Sequence, residues 1–198
     1  MTVSIPTWAV RRRLILLVAF LAAPLVLMSV PYFDDWRQSR TVTHGARIDP
    51  PQPVAAGRFT TLDGSPLGFS ALNGKWTLLY FDAAECVDSC TVQLSKMRQA
   101  VTALGREADR VQRVFVVTDA KALDLLRYTL RDYPGMRALT GPATEVGRLA
   151  RRVVGHNREA GIYLMDPQGN VILYFRPETD ADGLRTDLAR LPRVSQVR

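Results

Sequence analysis

Trp76-Thr77-Leu78-Leu79-Tyr80-Phe81-Asp82-Ala83-Ala84-Glu85-Cys86-Val87-Asp88-Ser89-Cys90 is the stretch that decides the fold. Residues 76–81 are a continuous run of apolar and strand-forming side chains, which predicts a central strand buried on both faces. The period then changes. Val87, Cys90, Leu94, Met97, Val101 and Leu104 recur at steps of three and four, the spacing of an amphipathic helix. The only two cysteines of the chain, Cys86 and Cys90, therefore fall where a buried strand gives way to a helix. Residues four apart share a helix face, so both sulfurs are expected to point the same way. Unpaired N–H groups and the positive end of the dipole at a helix start favour thiolate. The neighbouring carboxylates of Asp82, Glu85 and Asp88 oppose it.

Downstream, residues 114–117 read as a second buried strand. Asp119 is placed to cap a helix with Leu123, Leu126 and Leu130 on its buried side, ended by Pro134-Gly135. Residues 136–139 form a short extra strand. Pro142 starts a helix with Val146, Leu149 and Val153 on one face. Residues 161–165 and 171–175 flank the turn sequence Asp166-Pro167-Gln168-Gly169, which predicts an antiparallel hairpin. A last helix carries Leu184, Leu188 and Leu191. Upstream, residues 59–62 and 67–69 around Asp63-Gly64 suggest a small hairpin. The expected class is α/β, a thioredoxin-like fold. It is a mixed sheet flanked by helices, with an N-terminal hairpin and a strand–helix insertion, preceded by one transmembrane helix.

That transmembrane reading rests on residues 14–30, which carry no charge. The run has no clear small-x-small cleavage site and is flanked by Trp8, Tyr32, Phe33 and Trp36, so it reads as a retained anchor. Arg11, Arg12 and Arg13 before it, against Asp34 and Asp35 after it, put the N-terminus inside and the domain outside, in the periplasm of a bacterium. The expected organisation is a cytoplasmic N-terminus at 1–13, an anchor at 14–33, a proline-rich tether at 34–56 and a domain at 57–198. The net charge is +7. The three anchor arginines leave +4, spread among Asp and Glu, which excludes a nucleic-acid patch.

Two cysteines this close would stabilise little as a structural staple, because the entropy removed by a cross-link grows with the loop it closes. Chemistry is the better use. Two sulfurs on one face suit a reversible disulfide. They equally suit copper, as Cu(I) alone or, with a nitrogen ligand, Cu(II). Zinc fits less well, since no further cysteine completes a structural site.

The chain resembles the Sco/SenC family, membrane-tethered thioredoxin-like proteins that handle copper in the assembly of cytochrome c oxidase. The likeness runs over residues 57–191. It is carried by Gly74-Lys75-Trp76, by C-x-D-x-C at Cys86, Asp88 and Cys90 with Leu94 and Met97 behind it, and by Val116-Val117-Thr118-Asp119. Leu139-Thr140-Gly141 and Ile162-Tyr163-Leu164-Met165-Asp166-Pro167-Gln168-Gly169 complete it. The resemblance maps the family's copper-binding cysteines onto Cys86 and Cys90. Three departures stand out. Val87 and Thr91 replace the prolines that usually follow the cysteines. Asp119-Ala120-Lys121 replaces an Asp-Pro-Glu-Arg-Asp-type stretch. The family's third ligand, a histidine shortly before Tyr163-Leu164, is matched by Arg158, and the nearest histidine is His156.

The resemblance implies a Sco-like assembly factor acting on a cytochrome oxidase subunit or another copper or thiol protein. It would work by binding copper through Cys86, Cys90 and His156, by thiol–disulfide exchange with Cys86 attacking and Cys90 resolving, or by both. Two other readings stay open. One is a general thiol–disulfide oxidoreductase or peroxidase-like enzyme; the other is a non-catalytic membrane-bound interaction domain. The proline that faces the cysteines in generic disulfide reductases is replaced by Ala160-Gly161, which counts against the first of these.

Overall fold

Strand β3, Trp76–Asp82, is buried along almost its whole length and lies at the centre of one seven-stranded sheet, whose order is β1 (Ala46–Pro53), β7 (Asn170–Phe175), β6 (Ile162–Met165), β3, β4 (Val111–Val117), β5 (Met136–Thr140) and β2 (Thr60–Thr61). The computed structural model describes Trp8 and residues 44–54, 57–155 and 161–191. The chain divides into two units, 1–43 and 44–198. In the first, Trp8 alone is described, in helical backbone and exposed. All elements below belong to the second.

β3 pairs in parallel with β4 (Val111–Val117), and β4 in parallel with β5 (Met136–Thr140). On its other side β3 pairs antiparallel with β6 (Ile162–Met165), which forms the expected hairpin with β7 (Asn170–Phe175). Asp166 builds the hairpin turn, its Oδ1 accepting from the backbone N–H groups of Gln168 at 2.9 Å and Asn170 at 2.8 Å. The helices are α1 (Asp88–Thr102), α2 (Leu123–Thr129), α3 (Ala143–Val153) and α4 (Ala181–Arg190).

The pleat sorts the core into two layers. Trp76, Leu78 and Tyr80 of β3, with Phe115 and Val117 of β4, face α1, α2 and α4 through Leu94, Met97, Leu126, Leu184 and Leu188. Leu79, Phe81, Val114 and Val116 face the other way, onto Val146, Leu149 and Val153 of α3 and onto Phe59, Phe69 and Leu72. Cys86 and Cys90 belong to the first layer. The strand–helix insertion is present as β5 and α3, placed where the alternation of Leu139 and the spacing of Val146, Leu149 and Val153 put it.

Three expectations are corrected. The tether assigned to 34–56 is too long: Ala46–Pro53 is strand β1, antiparallel to β7 at the edge of the sheet. Its prolines sit there without cost because an edge strand has one side free of ladder bonds. The register shifts between Arg47 and Gln52, around them. The N-terminal hairpin is reduced to a bridge between Thr60 and Pro66. Strand β2 (Thr60–Thr61) pairs instead with β5, and residues 69–72 form a 3-10 turn. Asp119 caps nothing. The helix starts at Leu123, and Asp119 instead binds Lys121.

Among the described residues no helix is long and apolar enough to cross a membrane. The anchor expected at 14–33 lies outside them, as does the cytoplasmic segment 1–13 apart from Trp8.

Candidate functional site

β3, β4 and β5 run in parallel, so their C-terminal ends gather the loops that follow them at one end of the sheet. The loop after β3 carries the cysteines. It is fixed at its root by three bonds: Thr118 N–H to the Asp82 carbonyl at 2.8 Å, Ala84 N–H to the Asp119 carbonyl at 2.9 Å, and Ala83 N–H to Asp82 Oδ1 at 2.8 Å. The other carboxylate oxygen of Asp82 accepts from the Tyr80 hydroxyl at 2.8 Å. Burial and the adjacent Asp82 charge push the Tyr80 phenol well above its ordinary value, so it stays a neutral donor.

Cys86 and Cys90 are joined in a disulfide, with Cα atoms 5.1 Å apart. The route to this contact differs from the helix-face geometry inferred from spacing. The helix begins at Asp88 with Val87 as its N-cap, so only Cys90 lies on it. Cys86 stands in the preceding turn, its N–H bonded to the Ala83 carbonyl at 3.2 Å. Its φ of +40° makes it the one non-glycine residue in the left-handed region among the described residues. That backbone reversal swings Cys86 back toward the first turn of α1. It is also costly for a side chain bearing a Cβ, and such strain is held only where its surroundings over-determine it.

Both cysteines are buried, Cys90 in keeping with its place on the apolar stripe. Cys90 is fully buried and Cys86 retains 7% exposure. An attacking sulfur at a first helical turn is ordinarily exposed, and Cys86 is buried instead. Cys86 remains the accessible one of the two. Around it Glu85, Val87, Asp88 and Ser89 are exposed, Val87 at 65%. Lys121 stands exposed in the loop after β4. Its ammonium lies 2.9 Å from Asp119 Oδ2 and is held above its usual range, first by that hydrogen bond and lastly by the Glu85 charge. The rim of the site is therefore acidic with one lysine, and Asp88 occupies the helix start that would otherwise serve a thiolate.

Three features were not foreseen from sequence: the Tyr80–Asp82 pair, the left-handed Cys86, and Gln93. Gln93 sits on the buried face of α1 at 5% exposure, its Nε2 donating to the Pro177 carbonyl at 3.1 Å. A polar residue at an i+3 position from Cys90 is the one signal the sequence held for it.

His156 and Arg158 lie outside the described residues. Among the described residues no group of three or more His, Cys, Asp or Glu side chains gathers to hold a metal. What is present is two sulfurs within bonding reach. Reduced, they offer two soft thiolates, a donor set that suits Cu(I).

The family described as transmembrane-like, thioredoxin-like, C-terminal domain matches residues 76–195. The mitochondrial SCO2 homolog of Mus musculus is 28% identical over 180 residues, covering 79% of this chain and 68% of that protein. The chain spans 59% of the bovine and human counterparts. Among solved structures, copper-bound ScoI of Bradyrhizobium japonicum superposes with a TM-score of 0.58 at 23% identity, covering 70% of this chain and 98% of that one. BsSco, a member of the Sco family of cytochrome c oxidase assembly proteins in which a disulfide switch was identified, superposes at 0.59 with 19% identity over 77% of this chain and all of its own. These structural likenesses establish the shared thioredoxin-like fold.

Proposed function

This chain belongs to the Sco/SenC family of thioredoxin-like domains, and from that premise we propose that it is a membrane-anchored, periplasmic assembly factor for cytochrome c oxidase working through Cys86 and Cys90. The observation that carries the reading is the disulfide between its only two cysteines, at the strand-to-helix junction on the C-terminal end of the parallel strands. The charge-free run at 14–30 behind Arg11, Arg12 and Arg13 supports the anchor and the outward placement of the domain. An oxidising compartment supports the disulfide.

In exchange, a partner thiolate attacks Cys86 Sγ, Cys86 being the less buried residue of the pair. The S–S bond breaks, and the electron pair leaves on Cys90, which takes up a proton. A second partner thiolate then attacks the partner sulfur of the mixed disulfide and expels Cys86. The partner ends oxidised by two electrons and the pair is a dithiol. Run in reverse, the same steps reduce a partner's cysteines.

Copper is the cargo of the reduced pair. Cys86 and Cys90 supply two thiolates, their protons being displaced by the metal. His156, the histidine nearest in sequence to the position the family's third ligand takes, is the nitrogen donor we propose. The partner is an oxidase subunit or another protein bearing a cysteine copper site.

The test is a Cu(I) competition titration of the purified, fully reduced chain in detergent. One tightly held equivalent is expected, absent in the Cys86→Ser, Cys90→Ser double variant. Equal binding by that variant, or none by the wild type, removes copper carriage. Failure of the disulfide to form or open across a glutathione titration removes exchange.

A further inference from the structure

α1 buries Cys90, Gln93, Leu94, Met97, Ala100 and Val101, and Gln93 alone among them carries polar side-chain atoms that need partners. One side of its amide is satisfied: Nε2 donates to the Pro177 carbonyl at 3.1 Å, a carbonyl that Lys96 Nζ also reaches. The other side is not. Gln93 Oε1 is buried with no donor. Leaving a buried acceptor unmade is costly, so native proteins rarely keep one without a use.

Helical side chains lean toward the N-terminus, over the turn before their own Cα. From residue 93 that turn is the one holding Cys90, on the same buried face. In the disulfide state Cys90 Sγ has no hydrogen to give. Opening the disulfide changes this. Two thiols of a reductant supply two electrons and two protons and leave as their own disulfide. One of those protons comes to rest on Cys90 Sγ, where burial disfavours charge and favours the neutral S–H. The missing donor then arises three residues before Gln93, on the same buried face of α1.

We propose that Gln93 is a redox-coupled positioning residue, its Oε1 accepting the Cys90 S–H in the dithiol state and so favouring reduction of the pair. The inference rests on the reading above that this pair cycles.

The test compares the full chain with Gln93→Met and Lys96→Met in a glutathione redox titration. Both variants loosen the hold on Pro177; only the first removes the acceptor. Gln93→Met is expected to shift the equilibrium toward the disulfide by about two- to tenfold, the worth of one net hydrogen bond, with Lys96→Met unmoved. In a Cys86→Ser background the lone Cys90 S–H stretch in the infrared should lie at a hydrogen-bonded frequency and rise in Gln93→Met. Equal shifts in both variants overturn the proposal, as does an S–H frequency characteristic of a free thiol in the folded Cys86→Ser chain, a reading available even where Gln93→Met does not fold. A pair that stays oxidised at every poise overturns the functional reading along with it. A normal titration that Gln93→Met leaves in place overturns this inference alone.

Discussion

Reducing the Cys86–Cys90 disulfide should cost the fold almost nothing, and the structure supplies the magnitude. The cross-link spans a sequence separation of 4. In the chain-entropy picture, a ring that small removes about 2 kcal/mol of unfolded-state freedom at room temperature. Against this stands Cys86, held at φ +40°. A residue with a Cβ in the left-handed region costs about 1–2 kcal/mol, a cost released when the turn is free to relax. The two nearly cancel, leaving about 0–1 kcal/mol. For a domain of this size that amounts to a fall in Tm of about 0–4 °C.

The assay is differential scanning calorimetry of the full chain, oxidised and reduced. A paired comparison separates the bond from the thiols: Cys86→Ser with Cys90→Ser, which lacks the cross-link, should match the reduced chain to within about 1 kcal/mol, because in both the turn is released. A Tm loss above about 10 °C on reduction, or a serine double variant that keeps the oxidised chain's Tm while the reduced chain loses it, would refute the reasoning. In the first case the bond would be a structural staple. In the second, the loss would come from the thiols and not from the missing bond.

Other perturbations test the frame around the site. Leu94→Ala empties a fully buried position on α1 beneath the cysteine turn and should cost about 2–5 kcal/mol, read as a lower urea midpoint at unchanged slope. Arg110 closes the C-terminal end of α4, donating to the carbonyls of Leu191 at 2.7 Å and Leu188 at 2.9 Å and pairing with Glu107 at 2.7 Å. Arg110→Ala should therefore cost roughly 1–3 kcal/mol and speed amide exchange in the last turn of α4. The Lys121 hydrogen bond holds the exposed Asp119 carboxyl below its ordinary 3.8. The native state thus binds that proton less tightly than the unfolded chain. Its small contribution is present above about pH 4 and fades as pH falls through the native value. In Lys121→Ala a carbon-13 titration should return Asp119 toward 3.8; an unmoved titration would break the assigned cause.

The parts of this molecule that repeat were legible from sequence, and the parts that turn were not. Leu79, Phe81, Val114 and Val116 on one face and Tyr80, Phe115 and Val117 on the other follow from strand runs bounded by polar residues. The faces of α1 and α3 follow from steps of three and four. Pro50, Pro51 and Pro53 concealed β1 because proline marks a tether in sequence, whereas an edge strand bonded on one side accepts it. The cysteine spacing is four, and four on a helix means one face, so the pair was found for a reason that does not hold. Cys86 is not on the helix, and the sulfurs meet because a turn anchored by Ala83 reverses the backbone at residue 86. No linear period encodes where a helix declines to start, since Val87 carries no side-chain cap to announce it. Gln93 was hidden for a related reason. One polar residue in an apolar stripe looks like a lapse in the pattern until the fold brings Pro177 against one end of its amide and leaves the other end buried without a donor. The chemistry of this domain gathers where the periodic rule is broken, because a group that must change its bonding cannot be satisfied by the packing that serves its neighbours.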